Sequence, residues 1–397
     1  MTFADLSTDY KGAKSPIFRL AMITGIFTVI TAGMYRFWMK TRMRRYYWSA
    51  IRPGGMPLEY VGRPTEKLLG FLTAVVILAF YIGIVNLILM FFSFSLFSGN
   101  APAYVVSVIG ITPMIFFAQY RARRYVLGRT RWRGIRFGLE PGVAGFVWRS
   151  MLHWGLTVLT AGLYWPVMTY YLEKYRVDRT YYGDHRMHQG GSWKMLVRPM
   201  LHVYLSVALM GGTGALIGVT GEPRFGPLIP LGFGWFVYGL AAWKAGSFKA
   251  LTETKTLGDA SLRTSPRTGR IIGIYAGGWA AMSGLFLVGM IAGGIVVGIL
   301  AAITGFDGDV LEEGYFTTLG ALPKIIPIVA GLIVYFGVFV FWNVLKETFI
   351  TLPLAQHLAE VTEVVNPGAL MAVRQRDRDE FAEAEGFADA LPLGDAF

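Results

Sequence analysis

Few side chains in this sequence combine a reactive type with a telling setting, and most of those lie in apolar runs. Arg149 and His153 are four residues apart, on one face of any helix through them, and Arg19 stands near the entrance of another apolar run. Ionisable groups at membrane depth are costly and mark pathways or buried pairs. These three residues are therefore candidates for lining a solute route, and Asn86, His202, Lys244 and Asn343 are further polar residues in apolar surroundings. No Asp or Glu falls in the clear middle of an apolar run, which argues against proton-driven transport. Asp184, His185 and His188 have the ligand types for Zn²⁺, but Gly183, Gly190 and Gly191 bracket them and no further strong ligand follows. A solvated polar loop is the better reading, and no metal or cofactor is expected. The chain has no cysteine, no phosphate-binding glycine loop and no nucleophile elbow, so the sequence offers no catalytic residue. A second chemistry is open to Arg129, Arg131, Trp132 and Arg133: guanidinium forks match phosphate, and tryptophan seats at a membrane interface.

The elements that must carry these residues are membrane segments. Of 397 residues, 54% are hydrophobic and 16% charged, against roughly 25% charged in soluble domains. Apolar runs at about 17–38, 68–98, 103–120, 144–172, 197–219, 227–247, 271–304 and 322–352 are candidates to cross a hydrocarbon core, which takes roughly 20 helical residues. The net charge of +12 sits in basic loops between the runs, so anionic lipid is the expected partner and nucleic acid is not. Lys and Arg mark cytoplasmic loops, which predicts that all the basic loops and both termini are cytoplasmic. The run 144–172 joins two basic loops, yet it is too short to cross twice. A helical hairpin that re-enters, or lies in the interface, resolves this conflict. The resulting expectation is an all-α polytopic membrane protein with six full spans, two re-entrant or interfacial segments and small β-hairpins in its cytoplasmic loops.

An internal similarity singles out the two dipping segments. Thr28–Tyr35 reads TVITAGMY and Thr157–Tyr164 reads TVLTAGLY, 129 residues later, and Met39, Tyr46, Gly54 and Gly62 meet the same residue types at that offset. A repeat over about 17–67 and 144–196 is therefore expected. Thr31 with Gly33, and Thr160 with Gly162, are the places where each segment should turn, because glycine relieves backbone strain and threonine can take up a freed backbone group. Arg-rich stretches lead into Thr130–Leu139, Thr180–Met187 and Thr254–Leu262, where alternation such as Ile135, Phe137, Leu139 predicts short strands. The limits read as a polar N-terminus 1–16, a membrane domain 17–375 and an acidic, disordered tail 376–397.

The step Thr31-Ala32-Gly33 with Tyr35 and Arg44–Tyr47, the run Arg121–Leu139 and the second step at 160–164 together resemble the bacterial DUF898 family. The likeness extends over about 15–375 and weakens after about 250. That family usually has Leu where Ala32 and Ala161 stand, and Trp165-Pro166 reverses its usual Pro-Trp order. The resemblance implies a bacterial inner-membrane protein and brings no activity with it. Two functions stay open: a transporter or channel-like protein for a small solute or lipid, or a membrane scaffold or regulator that binds anionic headgroups.

Overall fold

A computed structural model of the chain describes residues 4–80, 83–84, 87–97, 100–306 and 322–376. Ten short strands form one antiparallel sheet: β1 (Leu6–Tyr10), β2 (Ile51–Pro53), β3 (Leu58–Tyr60), β4 (Thr130–Trp132), β5 (Ile135–Leu139), β6 (Thr180–Tyr182), β7 (His185–Gln189), β8 (Lys255–Leu257), β9 (Ala260–Thr264) and β10 (Thr362–Val365). Their order is β2-β1-β10-β9-β8-β7-β6-β5-β4-β3. The two outer strands, β2 and β3, flank the single turn at Gly54–Pro57, so the sheet curls into a nearly closed barrel with one open seam.

Helices leave and return between consecutive strands. They are α1 (Lys14–Ile30) and α2 (Arg36–Ala50) after β1; α3 (Pro64–Phe80), α4 (Leu87–Phe97) and α5 (Asn100–Gly128) after β3; α6 (Val143–Leu159) and α7 (Trp165–Val177) after β5; α8 (Val197–Thr220) and α9 (Leu228–Glu253) after β7; α10 (Thr268–Thr304), α11 (Leu322–Lys346) and α12 (Leu352–Glu360) after β9. The passage from helix to strand has a common device. The hydroxyls of Thr130, Thr180, Thr254 and Thr362 each donate to the carbonyl four residues back, at 2.7–2.8 Å, and so tie a strand's start to the last helical turn. The hairpins then turn on residues of positive φ: Arg133 with Gly134, Gly183 and Gly258. Two consecutive positive φ values, or a leading glycine, match the twist of tight hairpins.

The chain divides into two compact units. One comprises Met1–Lys11, Tyr47–Ile271 and His357–Phe397, and holds the whole barrel; the other comprises Gly12–Tyr46 and Ile272–Gln356. In the first, α8 and α9 pack through small residues, with Gly239 against the backbone at His202 and Val203 and Gly246 against Pro199. In the second, Gly25 lies against Val340 and Gly293 against Val334, around a core of Met282, Leu345 and Ile350.

This is a membrane protein. Among the described residues four helices are long and apolar enough to cross a bilayer: Trp193–Thr220, Pro223–Glu253, Thr268–Thr304 and Ile325–Glu360. Their outward side chains are apolar too, including Leu231, Val288 and Ile333. The all-α, six-span expectation is overturned by the ten-stranded barrel and by these four candidate spans. The reason is physical. Each strand has only three to five residues and acquires partners from distant loops, so no single hairpin carries a strong signal. The apolar run 68–98 is divided between α3 and α4. Asn86, the acidic stretch around Asp307–Glu313 and the tail 377–397 lie outside the described residues.

Candidate functional site

The α6–α7 segment is a helical hairpin built around the predicted turn. Gly162 N–H donates to the Thr157 carbonyl at 2.8 Å and Ala161 N–H to the Val158 carbonyl at 3.0 Å, the bond pattern that closes a helix through a left-handed residue. Ala161 (φ 50°) and Gly162 (φ 90°) both take positive φ. The Thr160 hydroxyl donates to Leu156 at 2.8 Å and accepts from Tyr164 N–H at 3.1 Å, so it joins the end of one helix to the start of the next. Tyr204, on α8, donates to the Leu163 carbonyl at 3.0 Å and holds the turn from outside.

Down the hairpin the helices face each other. The Thr157 hydroxyl lies 3.5 Å from Met168 Sδ, Trp154 meets Trp165 edge-on, and His153 stacks between Tyr164 and Tyr171 with centroids 5.7 and 5.6 Å away. At the base Phe146, Met168, Leu172 and Tyr175 pack with Tyr120 and Phe116 of α5. The Tyr175 hydroxyl donates to the Gly142 carbonyl at 2.8 Å. The tip is bare hydrocarbon: Leu159 is 82% exposed, Val158 73% and Leu163 66%. The base is cationic and aromatic, with the Arg179 and Arg149 guanidiniums 3.7 and 4.8 Å from the centre of the Tyr175 ring.

The α1–α2 segment repeats these contacts, 129 residues earlier. Ala32 and Gly33 have φ of 48° and 91°, and Gly33 N–H donates to Thr28 at 2.7 Å. Thr31 accepts from Tyr35 N–H at 2.9 Å, Thr28 lies 3.9 Å from Met39 Sδ, and Tyr46 donates to the Ala13 carbonyl at 2.8 Å. Ile30 at its tip is 72% exposed.

Beneath the α6–α7 hairpin lies a buried charge cluster. Glu173 is 8% exposed and pairs with Arg176 and Lys255 at 2.9 Å and with Arg123 at 3.6 Å. Burial alone would raise its pKa. Arg123, Lys255 and Arg176 outweigh that and hold the carboxyl well below its usual range. One carboxylate thus serves three cations, which leaves the cluster with excess positive charge.

The model of a family described as bacterial proteins of unknown function, DUF898, matches residues 5–390. The chain belongs to the DUF898 family. No curated protein and no solved structure matches it.

In this DUF898 protein the sequence-predicted residues fall into separate places. Arg149 and His153 share the α6 face, Arg149 capping Gly145 at 3.1 Å and stacking on Tyr175. Thr160 with Gly162, and Thr31 with Gly33, are the two hairpin turns, while Arg19 is exposed on α1 in the other unit. The predicted headgroup residues are dispersed. Arg129 is bound to Glu66 at 2.9 Å, Arg131 lies on the outer side of β4, and Trp132 points into the barrel core with Tyr182 and Leu370. Arg133 occupies a hairpin turn, at the end of the strands away from the helices. His185 and His188 are held by different carboxylates, Asp184 at 2.7 Å and Asp178 at 3.5 Å.

Sequence reasoning missed Glu173, Arg123, Arg176 and Lys255. A Glu-x-x-Arg step on a helix is ordinary on any surface, and Lys255 lies 82 residues from its carboxylate. The segment Pro367–Gln375 was missed as well. It buries Leu370 and Val373 in the barrel core, accepts from Asp184 N–H at the Arg374 carbonyl, and caps Arg136 N–H through Gln375.

Proposed function

We propose that this protein is a lipid-binding scaffold of the bacterial inner membrane, with both termini and the barrel cytoplasmic. The two helical hairpins dip into the inner leaflet without crossing, and their cationic bases engage anionic headgroups. One observation carries the reading: a hairpin with a bare apolar tip, and arginines stacked on tyrosine at its foot, begins and ends on neighbouring strands. β5 and β6 pair through Leu139↔Thr180, so the α6–α7 segment starts from and returns to one sheet. A helix of 17 residues followed by a break suits partial insertion. The matching contacts 129 residues apart support descent of the two hairpins from one repeated unit.

Two cavities among the described residues are apolar: one lies within the barrel, and the other, of about 490 Å³, is lined by Met22, Ile26, Val329, Leu332, Phe336 and Val340. Neither includes Arg149 or His153.

The absence of native cysteine allows a direct test. Single Leu159→Cys and Arg133→Cys variants are spin-labelled in nanodiscs. The Leu159 label is expected to collide with oxygen at less than mid-bilayer depth, and the Arg133 label with a water-soluble relaxant. In right-side-out and inverted vesicles, Arg133→Cys and Arg186→Cys are both expected to react with an impermeant maleimide only from the cytoplasmic face. Reaction from opposite faces, or a water-exposed Leu159, overturns the reading. Arg149→Gln with Arg179→Gln is expected to lower the preference for anionic over zwitterionic lipid severalfold.

A further inference from the structure

An open groove of about 490 Å³ runs between α1 and α11, wholly within the second unit. Its α1 wall extends from Met22 to Ile30 and its α11 wall from Val329 to Phe341. At 1.5 Å per residue these walls are about 12 and 18 Å long. Half of a hydrocarbon core about 30 Å thick is about 15 Å. The groove is therefore as long as the acyl chains of one leaflet. Residue type makes the void. Gly25 lies against Val340 and pins the two helices together, while Gly337, one turn away, lines the groove with open space where a Cβ would stand. Most of α11 lies in a helix long and apolar enough to cross a bilayer, so hydrocarbon rather than water bathes this wall.

Charge distinguishes one end of the groove. With 3.6 residues per turn, Arg19 stands about 20° around α1 from both Ile26 and Ile30, so the three share one stripe of the helix. Arg19 is exposed, and it forms no ion pair among the described residues. It lies about 16 Å before Ile30 along the helix, one leaflet's depth from the hairpin turn. Apolar side chains thus run along the stripe from the turn, and a guanidinium free to take a phosphate ends it.

We propose that this groove is a fixed site for one anionic phospholipid, with an acyl chain against Ile26, Leu332 and Phe336 and the headgroup phosphate on Arg19. The inference rests on the preceding reading in one respect: the α1–α2 turn must lie within the leaflet, which puts Arg19 at headgroup level. It adds a defined lipid, held on α1 and α11, to the general attraction of the hairpin bases for anionic headgroups.

The test uses the full chain in nanodiscs of equal phosphatidylglycerol and phosphatidylcholine, with a trace of phosphatidylglycerol carrying a diazirine midway along one acyl chain. Illumination is expected to label the peptides holding Met22–Ile30 and Val329–Phe341 severalfold more than the one holding Leu285–Ile299 of α10, whose side chains are also exposed. Native mass spectrometry from mild detergent is expected to show one retained phosphatidylglycerol per chain. Gly337→Phe fills the groove and is expected to remove both signals, whereas Gly331→Phe, outside the groove on the same helix, leaves them. Should Gly337→Phe fail to fold, Ile26→Trp fills the groove from α1. Arg19→Gln is expected to lower retention of phosphatidylglycerol relative to phosphatidylcholine about fivefold. Equal labelling of groove and α10, unchanged retention in a folded, filled variant, or a lipid-free dimer joined through the groove overturns the proposal. A water-exposed Leu159 label counts against the hairpin reading alone, because groove labelling is measured on α1 and α11.

Discussion

Glu173 holds the densest set of charges that the described residues bring together, and its loss is informative. Glu173→Gln leaves the half-buried Arg123, Arg176 and Lys255 around a neutral amide, and removing the one anion of such a group costs about 3 kcal/mol at most. The expected outcome is a correspondingly lower midpoint in denaturant unfolding. Adding Lys255→Met should cost less than the sum of the single changes, a coupling that a double-mutant cycle measures. Asp184 makes a different prediction. The Arg374 backbone N–H, and then the His185 side chain, hold its carboxyl below its ordinary value. A depressed folded pKa means that the contribution is complete above the unfolded pKa, about 3.9, and is lost as pH falls through the folded value. Protection of the amides of residues 370–375 against hydrogen exchange, taken relative to their intrinsic rates, should therefore be constant from pH 8 to 5 and fall only below about 4. Asp184→Asn, which keeps an acceptor but cannot titrate, should remove that acid step.

The hairpin turns are where local sequence and structure agree most closely, and they show what could be read in advance. Thr160, Ala161 and Gly162 announce a helix stop because few other combinations both end a helix in a left-handed residue and re-bond the next turn, and the same holds for Thr31, Ala32 and Gly33. Alternation at Ile135, Phe137 and Leu139 announced a strand. It could not announce the neighbours of that strand, because Leu139 finds Thr180 only after a 40-residue excursion, and Leu6 finds Val364 across almost the whole chain. Gly162 has open space for 4 Å around the point where a Cβ would stand, so Gly162→Ala would meet no clash, and its whole cost would come from φ near +90°, about 1 kcal/mol. Ala161→Gly should change stability by less, since release of strain at φ 50° is offset by a more flexible unfolded chain. Thermal unfolding of both variants tests this order. Equal effects would mean that the turn is set by Tyr204 from outside rather than by its own backbone.

The architecture as a whole is one barrel that sends helices out and takes them back five times, so each helical excursion begins and ends on a strand of the same sheet. The barrel did not show in the sequence, because Trp132, Tyr182, Ala260 and Leu370 come from four distant stretches and meet only in the fold. Closure is completed by the C-terminal segment. β10 supplies the strand between β1 and β9, and Pro367–Met371 then folds back so that Leu370 and Val373 enter the lumen wall. The Arg374 carbonyl, clamped by Asp184, sits so close to Gly183 that a Cβ there would collide with it, so the turn of β6 and β7 is shaped to receive this segment. A chain ending at Asn366 keeps all ten strands but loses both apolar plugs. With full burial of such side chains worth roughly 1.5–3 kcal/mol each, the barrel should lose about 3 kcal/mol and the β4 and β6 amides should exchange faster. A chain ending at Arg376 retains all of these contacts and should match the full-length protein. If both truncations behave alike, the plug is a passive covering, and closure of the barrel rests on the strand ladder alone.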